Sequence, residues 1–370
     1  MHILYILFDK TIDKYRNLYN LRTIICSLEY FYFRGFNLTK NNSMHFFLAS
    51  NSPRGFFSKM DIFSKNLPKN WKCNIIKGSP GCGKSTYMKK IADEMKQMDA
   101  TVEYIHCPSD PDSLDAVIFP DLKLCYVDGT SPHIIDPIFP GITGNIIDLA
   151  KLKSLDSARK NKNKIFKLNK KSEKFYNQAQ KYLLSFRSIL SNSIEEHIEN
   201  INFDHIKSMS EKISKKYFTK KLTKIPKKSL RMISSVGPKG LLFLNQNFDE
   251  YKSIYRIDDD LNLESDILFR YILNLASNYG YNSIVCINPI SLNEKIESLI
   301  FPELKLTFFA KNRWQTESCK FKKNINKIKI CKKNQIHADD QDILDILMLK
   351  AIQEMKKVLD IHLKIEKVYQ

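Results

Sequence analysis

The residues Gly78-Ser79-Pro80-Gly81-Cys82-Gly83-Lys84-Ser85 follow the pattern G-x-x-x-x-G-K-[ST]. Glycines let a loop wrap tightly, so that successive backbone N–H groups converge on phosphate oxygens. A lysine at this spacing reaches the outer phosphates, and the hydroxyl after it ligates a divalent cation. Gly78, Ser79, Pro80, Gly81, Cys82, Gly83, Lys84, Ser85 and Thr86 are therefore candidate phosphate-binding residues, with Lys84 also catalytic and Ser85 also a metal ligand. At average residue frequencies, a chance match in a chain this long is expected about once in a hundred sequences.

A cation site needs a second anchor. "LKLCYVDGTSPH" places Asp128 at the end of an apolar run, Leu122 to Val127. An acid at the C-terminal end of a buried strand faces the ligand side of a doubly wound sheet. Asp128 is thus the candidate metal-anchoring and catalytic carboxylate; the other reading is a turn-forming Asp-Gly pair. "VEYIHCPSDPDSLD" reads as a strand, Val102 to His106, followed by Cys107, Ser109, Asp110 and Asp112. The acids could orient a substrate or water, and His106 could relay a proton. Equally, this is a polar turn in which Ser113 or Asp112 caps a following helix. The same pair of readings holds for His133, a further candidate catalytic residue, and Asp136 in "TSPHIIDP".

The elements that must hold these residues are legible around them. "CNII" (Cys73 to Ile76) is a short apolar strand. "STYMKKIADEMKQM" has helical spacing, with Met88, Ile91, Ala92 and Met95 on one face. Strand, glycine-rich turn and helix in that order put a helix N-terminus, with its dipole, at the phosphates.

An internal echo follows. "NSPRGFF" (Asn51 to Phe57) matches "VGPKGLL" (Val236 to Leu242), and "IFPDLKL" (Ile118 to Leu124) matches "IFPELKL" (Ile300 to Leu306). "VEYIHCP" faces "SIVCINPI" (Ser283 to Ile290), and "YRIDDDLNLESDILFRYI" (Tyr255 to Ile272) has the strand–turn–helix rhythm without glycines. On this register Gly78 falls near Asp259, Lys84 near Ser265, Ser85 near Asp266 and Asp128 on Ala310. Lysine, hydroxyl and carboxylate are lost together, and the run Asp258-Asp259-Asp260 would repel phosphate. The second half is expected to be architecture without nucleotide chemistry.

The chain has 370 residues and a net charge of +19, with 43% hydrophobic and 27% charged residues. This is the composition of a soluble globular protein with room for two domains. The charge is mostly Lys in an Asn- and Ile-rich chain, and no specific nucleic-acid signature accompanies it. Its eight cysteines contain no C-x-x-C pair, which argues against a zinc site and fits a reducing cytoplasm. The apolar N-terminus "MHILYILFDKTIDKYRN" is too short for a membrane span. Residues 1–43 are expected to be an extension; Met44 offers a second start, so a start assigned too early is the preferred reading.

The motifs "SPRGFFS", "GSPGCGKST", "HCPSDPDSLD", "IFPDLKL", "VDGTSPH" and "DPIFPG" resemble a poorly characterised family of bacterial P-loop ATPases of spore-forming Firmicutes with two tandem halves. The resemblance runs from about Met44 to the C-terminus, and this chain departs from it by lacking the second phosphate loop. It implies ATP binding and hydrolysis. The expected fold is α/β: a P-loop NTPase-type parallel sheet flanked by helices, in two repeated halves. Residues 44–150 form the nucleotide-binding half, 151–228 a Lys-rich helical hairpin or lid, and 229–370 a degenerate second half with a C-terminal helix. The lid could bring Lys or Arg over a triphosphate. The expected function is slow Mg²⁺-dependent ATP hydrolysis in the first half, with ATP and Mg²⁺ as ligands and an unknown protein or small-molecule partner. A small-molecule or nucleotide kinase, and a non-hydrolysing ATP sensor, remain open. ATP is preferred to GTP because no N/T-K-x-D guanine-reading motif follows the first half.

Overall fold

A computed structural model describes residues 43–64, 67–152, 156–291, 294–330 and 336–369. The expected extension therefore lies, except for Ser43, outside the described residues. The described residues open with β1 (Ser43–Phe46), β2 (Ala49–Ser52) and β3 (Gly55–Ser58). Then come β4 (Lys72–Lys77), α1 (Lys84–Gln97), β5 (Val102–His106), β6 (Leu114–Phe119), β7 (Leu124–Asp128) and β8 (Ile146–Asp148). Helices α2 (Asp156–Lys160), α3 (Lys162–Ile198) and α4 (Phe203–Tyr217) follow. The remainder is β9 (Lys228–Arg231), β10 (Ser234–Gly237), β11 (Gly240–Phe243), β12 (Ser253–Asp258), α5 (Glu264–Asn278) and β13 (Ser283–Ile287). It ends with β14 (Ile296–Phe301), β15 (Leu306–Lys311), β16 (Gln315–Glu317), β17 (Asn326–Ile328) and α6 (Ala338–Tyr369).

The strands form three sheets. A six-stranded sheet has the order β1-β5-β6-β7-β4-β8, another has β17-β12-β15-β14-β13-β9, and a five-stranded sheet, β16-β11-β10-β2-β3, has strands from both parts of the chain. In the first, β5–β6 and β6–β7 are antiparallel and the other neighbours parallel. In the second, β13–β14 and β14–β15 are antiparallel and the rest parallel. The sheets are thus mixed, not parallel as expected. The difference arises in the segment after Asp112, which runs antiparallel to both its neighbours. No helix is capped there; "LDAVIF" forms β6, buried at every position. A short run buried on both faces has no helical stripe, and its direction is set by neighbours distant in sequence.

Met88, Ile91, Ala92 and Met95 form the buried face of α1, packed on Val102, Tyr104, Val117 and Tyr126 of the first sheet. Burying one such large side chain contributes roughly 1.5–3 kcal/mol. The stripe therefore decides where the N-terminus of α1 points. A larger core joins Phe46, Ile75, Ile105 and Val127 to Phe243, Phe248, Ile254 and Phe309. It fills the space between the sheets. In the expected hairpin, the helices choose other partners. Helix α3 lies along α6, sharing Ala179, Leu183, Phe186, Leu344, Met348 and Met355 in one cluster, while α4 packs with α5 through Ile206, Leu268 and Phe269. Among the described residues no helix is long and apolar enough to cross a membrane.

Candidate functional site

Strand β4 ends at Lys77 and α1 begins at Lys84, so Gly78 to Gly83 make the turn between them. Gly81 (φ 68°) and Gly83 (φ 93°) lie in the left-handed region, where a side chain would be strained. Gly83 precedes the helix with no side-chain cap, leaving the first N–H groups of α1 for a ligand. The Lys84 ammonium donates to the carbonyls of Gly78 and Ser79, both at 3.1 Å. It also lies 3.7 Å from Asp128 Oδ2. Ser85 Oγ accepts the Leu114 N–H at 3.0 Å, which ties the loop to β6.

Asp128 closes the turn of one reading and turns its other oxygen toward Lys84. Its Oδ1 accepts the Thr130 N–H (2.9 Å) and hydroxyl (2.6 Å), closing a turn, and its Oδ2 faces Lys84. Burial pushes this carboxyl up, against the opposing pull of Lys84 and the Thr130 bonds. A cation at Oδ2 would relieve that cost.

A cleft of about 650 Å³ opens over the loop, within the range of small-molecule sites. Gly78, Pro80, Gly81, Cys82, Gly83, Lys84, Ser85 and Thr86 line it, as do Asp110, Asp128 and His133. Ser79, in the loop but not among the residues lining the cleft, has a buried hydroxyl oxygen with no hydrogen-bond partner. A backbone cradle, an amine, a hydroxyl and a carboxylate on one wall, with an orphaned buried hydroxyl beside them, fit a nucleotide triphosphate with a divalent cation. Lys84 and the loop amides would hold the phosphates, and Ser85 and Asp128 the cation.

The other candidates divide, with Asp110 and His133 at the cleft and His106, Asp112 and Asp136 not among its lining residues. His106, expected as a proton relay, does not line the cleft. Its Nδ1 lies 2.7 Å from the Pro111 carbonyl and its Nε2 lies 2.9 Å from His45 Nδ1, and burial lowers its pKa. Asp110 accepts the Ser113 hydroxyl at 2.5 Å. Asp112 pairs with Lys239 at 2.7 Å, and Asp136 with Lys77 at 2.9 Å. His133 does reach the cleft and stands 3.3 Å from Asp115 Oδ2. Asp115 escaped the sequence reading, which had no strand over Leu114 to Phe119. The repeat held the clue, since "LDAVIF" and "IESLIF" carry an acid at the same place.

The cover over the cleft also departs from expectation. Among the described residues of the 151–228 segment no Lys or Arg lines it; α3 supplies Asn169 and Ser172, and the C-terminal helix α6 supplies Val358, Leu359, His362, Ile365 and Glu366. A Cβ on Gly81 would come within 3.2 Å of Glu366 Cβ, so α6 rests directly on the loop.

In the second part of the chain, the corresponding turn closes on itself. Asp259, 1% exposed, accepts through Oδ2 the N–H groups of Leu263 and Ser265, both at 2.9 Å, and the Ser265 hydroxyl at 2.7 Å. The Asp259 side chain therefore takes up the turn at the N-terminus of α5. Asp266 accepts the Ile296 N–H at 2.7 Å, as Ser85 accepts that of Leu114. Ile76 is registered with Asp128, and Ile257 with Ala310.

The description KAP family P-loop domain matches residues 72–368. No curated protein and no solved structure matches the chain. The match agrees with the P-loop class that the motifs pointed to and begins at β4, leaving β1 to β3 before it. With its phosphate loop, its Lys84–Asp128 pair and a match across most of its length, the chain belongs to the KAP family of P-loop NTPase domains.

Proposed function

We propose that the protein binds ATP with Mg²⁺ at the loop Gly78 to Thr86 and hydrolyses it slowly, using this half of the chain alone. The observation that carries this reading is the placement of Lys84. Its ammonium bridges two loop carbonyls and faces Asp128 Oδ2 across 3.7 Å, at the open N-terminus of α1. An incoming phosphate would replace the carbonyls as acceptor, and a cation between Ser85 and Asp128 would balance its charge.

The proposal includes two repeated halves. It is supported by the identical sequence of parallel and antiparallel neighbours in the two six-stranded sheets. It is also supported by the pairing of Phe47 with Met232 and Asn51 with Val236, positions that correspond on the repeat. The second half serves as scaffold: its turn holds its own carboxylate, and it shares the large core with the first half. The free thiols among the described residues suit a reducing compartment such as the cytoplasm.

Hydrolysis is preferred to phosphoryl transfer because Asp110 and Asp112, the acids that would hold an acceptor hydroxyl, are engaged by Ser113 and Lys239. The test is Lys84→Ala in the full chain. Titration with ATP and Mg²⁺ should saturate at one site per wild-type chain and show no site in the variant, whose circular dichroism should be unchanged. Normal binding and turnover in Lys84→Ala would sink the proposal.

A further inference from the structure

Asp115 is 6% exposed, lines the cleft, and has a buried Oδ2 without a hydrogen-bond partner. Burying a carboxylate oxygen unsatisfied is costly, so the arrangement calls for a ligand. Its surroundings define which kind. β6 and β7 pair Ala116 with Val127, so Asp115 is the cross-strand neighbour of Asp128. Leu114, the residue before it, holds Ser85 Oγ. The His133 ring stands 3.3 Å from Oδ2, at ion-pair distance without hydrogen-bond alignment, and packs against Phe56 at 5.1 Å between centroids. The Cys107 thiol, raised well above its ordinary range by burial and then by Asp115, forms another wall.

The second half supplies the internal comparison. Glu297 occupies the position of Asp115 and Gln315 that of His133. Glu297 accepts from Ser234 Oγ at 2.6 Å and from Gln315 Nε2 at 2.7 Å. The acid beside the phosphate loop has a buried oxygen that accepts no hydrogen bond, and the acid beside the self-filled turn has its oxygens bonded.

We infer that Asp115 is the group that takes the attacking water, with His133 as its positioning residue. The inference rests on the hydrolysis proposed above. The water oxygen bonds to the γ-phosphorus as the bond from that phosphorus to the β–γ bridging oxygen breaks. The bridging oxygen keeps the electron pair and leaves with the diphosphate. The water proton passes to Asp115 Oδ2 and from there to the released phosphate or to solvent. A carboxylate in this role contributes about 10²–10⁴-fold in rate. His133, between Phe56 and Asp115, stands at ion-pair distance from Oδ2 and restrains the carboxylate without a hydrogen bond to it.

The experiment compares the full-length wild type with Asp115→Asn, His133→Gln and Glu297→Gln. It measures affinity for a fluorescent ATP analogue with Mg²⁺, steady-state phosphate release, and the identity of nucleotide retained after gel filtration. Asp115→Asn should lose about 100-fold or more in turnover, keep affinity within about threefold, and retain ATP where the wild type retains ADP. His133→Gln installs the donor found in the second half and should lower turnover at unchanged affinity. Glu297→Gln should turn over within about twofold of wild type. The inference is overturned by near-normal turnover in Asp115→Asn. It is also overturned by an equal loss of Mg²⁺-dependent affinity, which would make Asp115 a metal ligand, or by a wild type that binds ATP without hydrolysing it. A wild type that binds no ATP would instead remove the hydrolysis proposal itself.

Discussion

Removing the Asp259 carboxylate should loosen the N-terminus of α5 without creating a nucleotide site. The acid accepts three hydrogen bonds, from the N–H groups of Leu263 and Ser265 and the Ser265 hydroxyl. Hydrogen bonds to a charged acceptor are worth about 1.5–3 kcal/mol each. They share one oxygen and are not additive. Asp259 also favours the charge of Lys295, whose pKa is lowered by burial. Against these losses stands the relief of a buried charge whose Oδ1 has no partner. Asp259→Ala should therefore cost about 3–5 kcal/mol locally, and Asp259→Asn, which keeps the shape and an acceptor, about 1–2 kcal/mol. Native-state hydrogen exchange reads this directly. The Leu263 and Ser265 amides should exchange about 100-fold faster or more in the Ala variant, since about 1.4 kcal/mol is tenfold. Added inorganic phosphate should restore part of the protection, because the vacated donors accept an anion. ATP stoichiometry should stay at one per chain. Unchanged exchange would refute the idea that the carboxylate holds the turn. A stoichiometry of two would refute the scaffold assignment.

Asp128→Asn should weaken nucleotide affinity in Mg²⁺ by about tenfold or more while metal-free affinity stays within about threefold, measured by titration with and without EDTA; equal losses would mark Asp128 as structural. Glu297 has its pKa pushed up by burial to about 7, against the downward pull of its bonds to Ser234 and Gln315. The folded chain therefore retains a proton that the unfolded chain releases near pH 4–5. This contribution to stability is full below that range and is lost as pH rises through about 7. From pH 5 to pH 8 the urea-derived stability of wild type relative to Glu297→Gln should fall by about 2.5 kcal/mol; a difference that does not vary with pH would contradict the burial.

The parts legible in sequence were those governed by local chemistry. The glycines, Lys84 and Ser85 announce a phosphate loop because its conformation and ligands come from neighbouring residues. The buried face of α1 was readable from helical spacing, and Val102–His106 from its run of strand-forming residues. On the proposed repeat register, Ala310 stands beside β12 as Asp128 stands beside β4. The direction of β6 was not readable, since its neighbours on both sides are chosen by long-range pairing. The cover was misplaced for a similar reason. An amphipathic helix declares that it has an apolar face but not which face it meets, and α6 crosses to rest on Gly81.

By itself, the sequence determined a phosphate loop, the helix behind it and an acid at a strand end, and that the matching positions Asp259, Ser265 and Ala310 lack the glycine, the lysine and the acid. These depend on residue type and on spacings shorter than an element. Only the tertiary structure decided that Asp115 and His133 share the cleft with Lys84, and that His106 turns away to His45. It also decided that Asp259 fills the turn it had been expected merely to guard. Each of these depends on which strand lies beside which and on where a buried carboxylate finds its donors. Such choices belong to the packed core, where a charge must be satisfied by whatever the fold brings within reach.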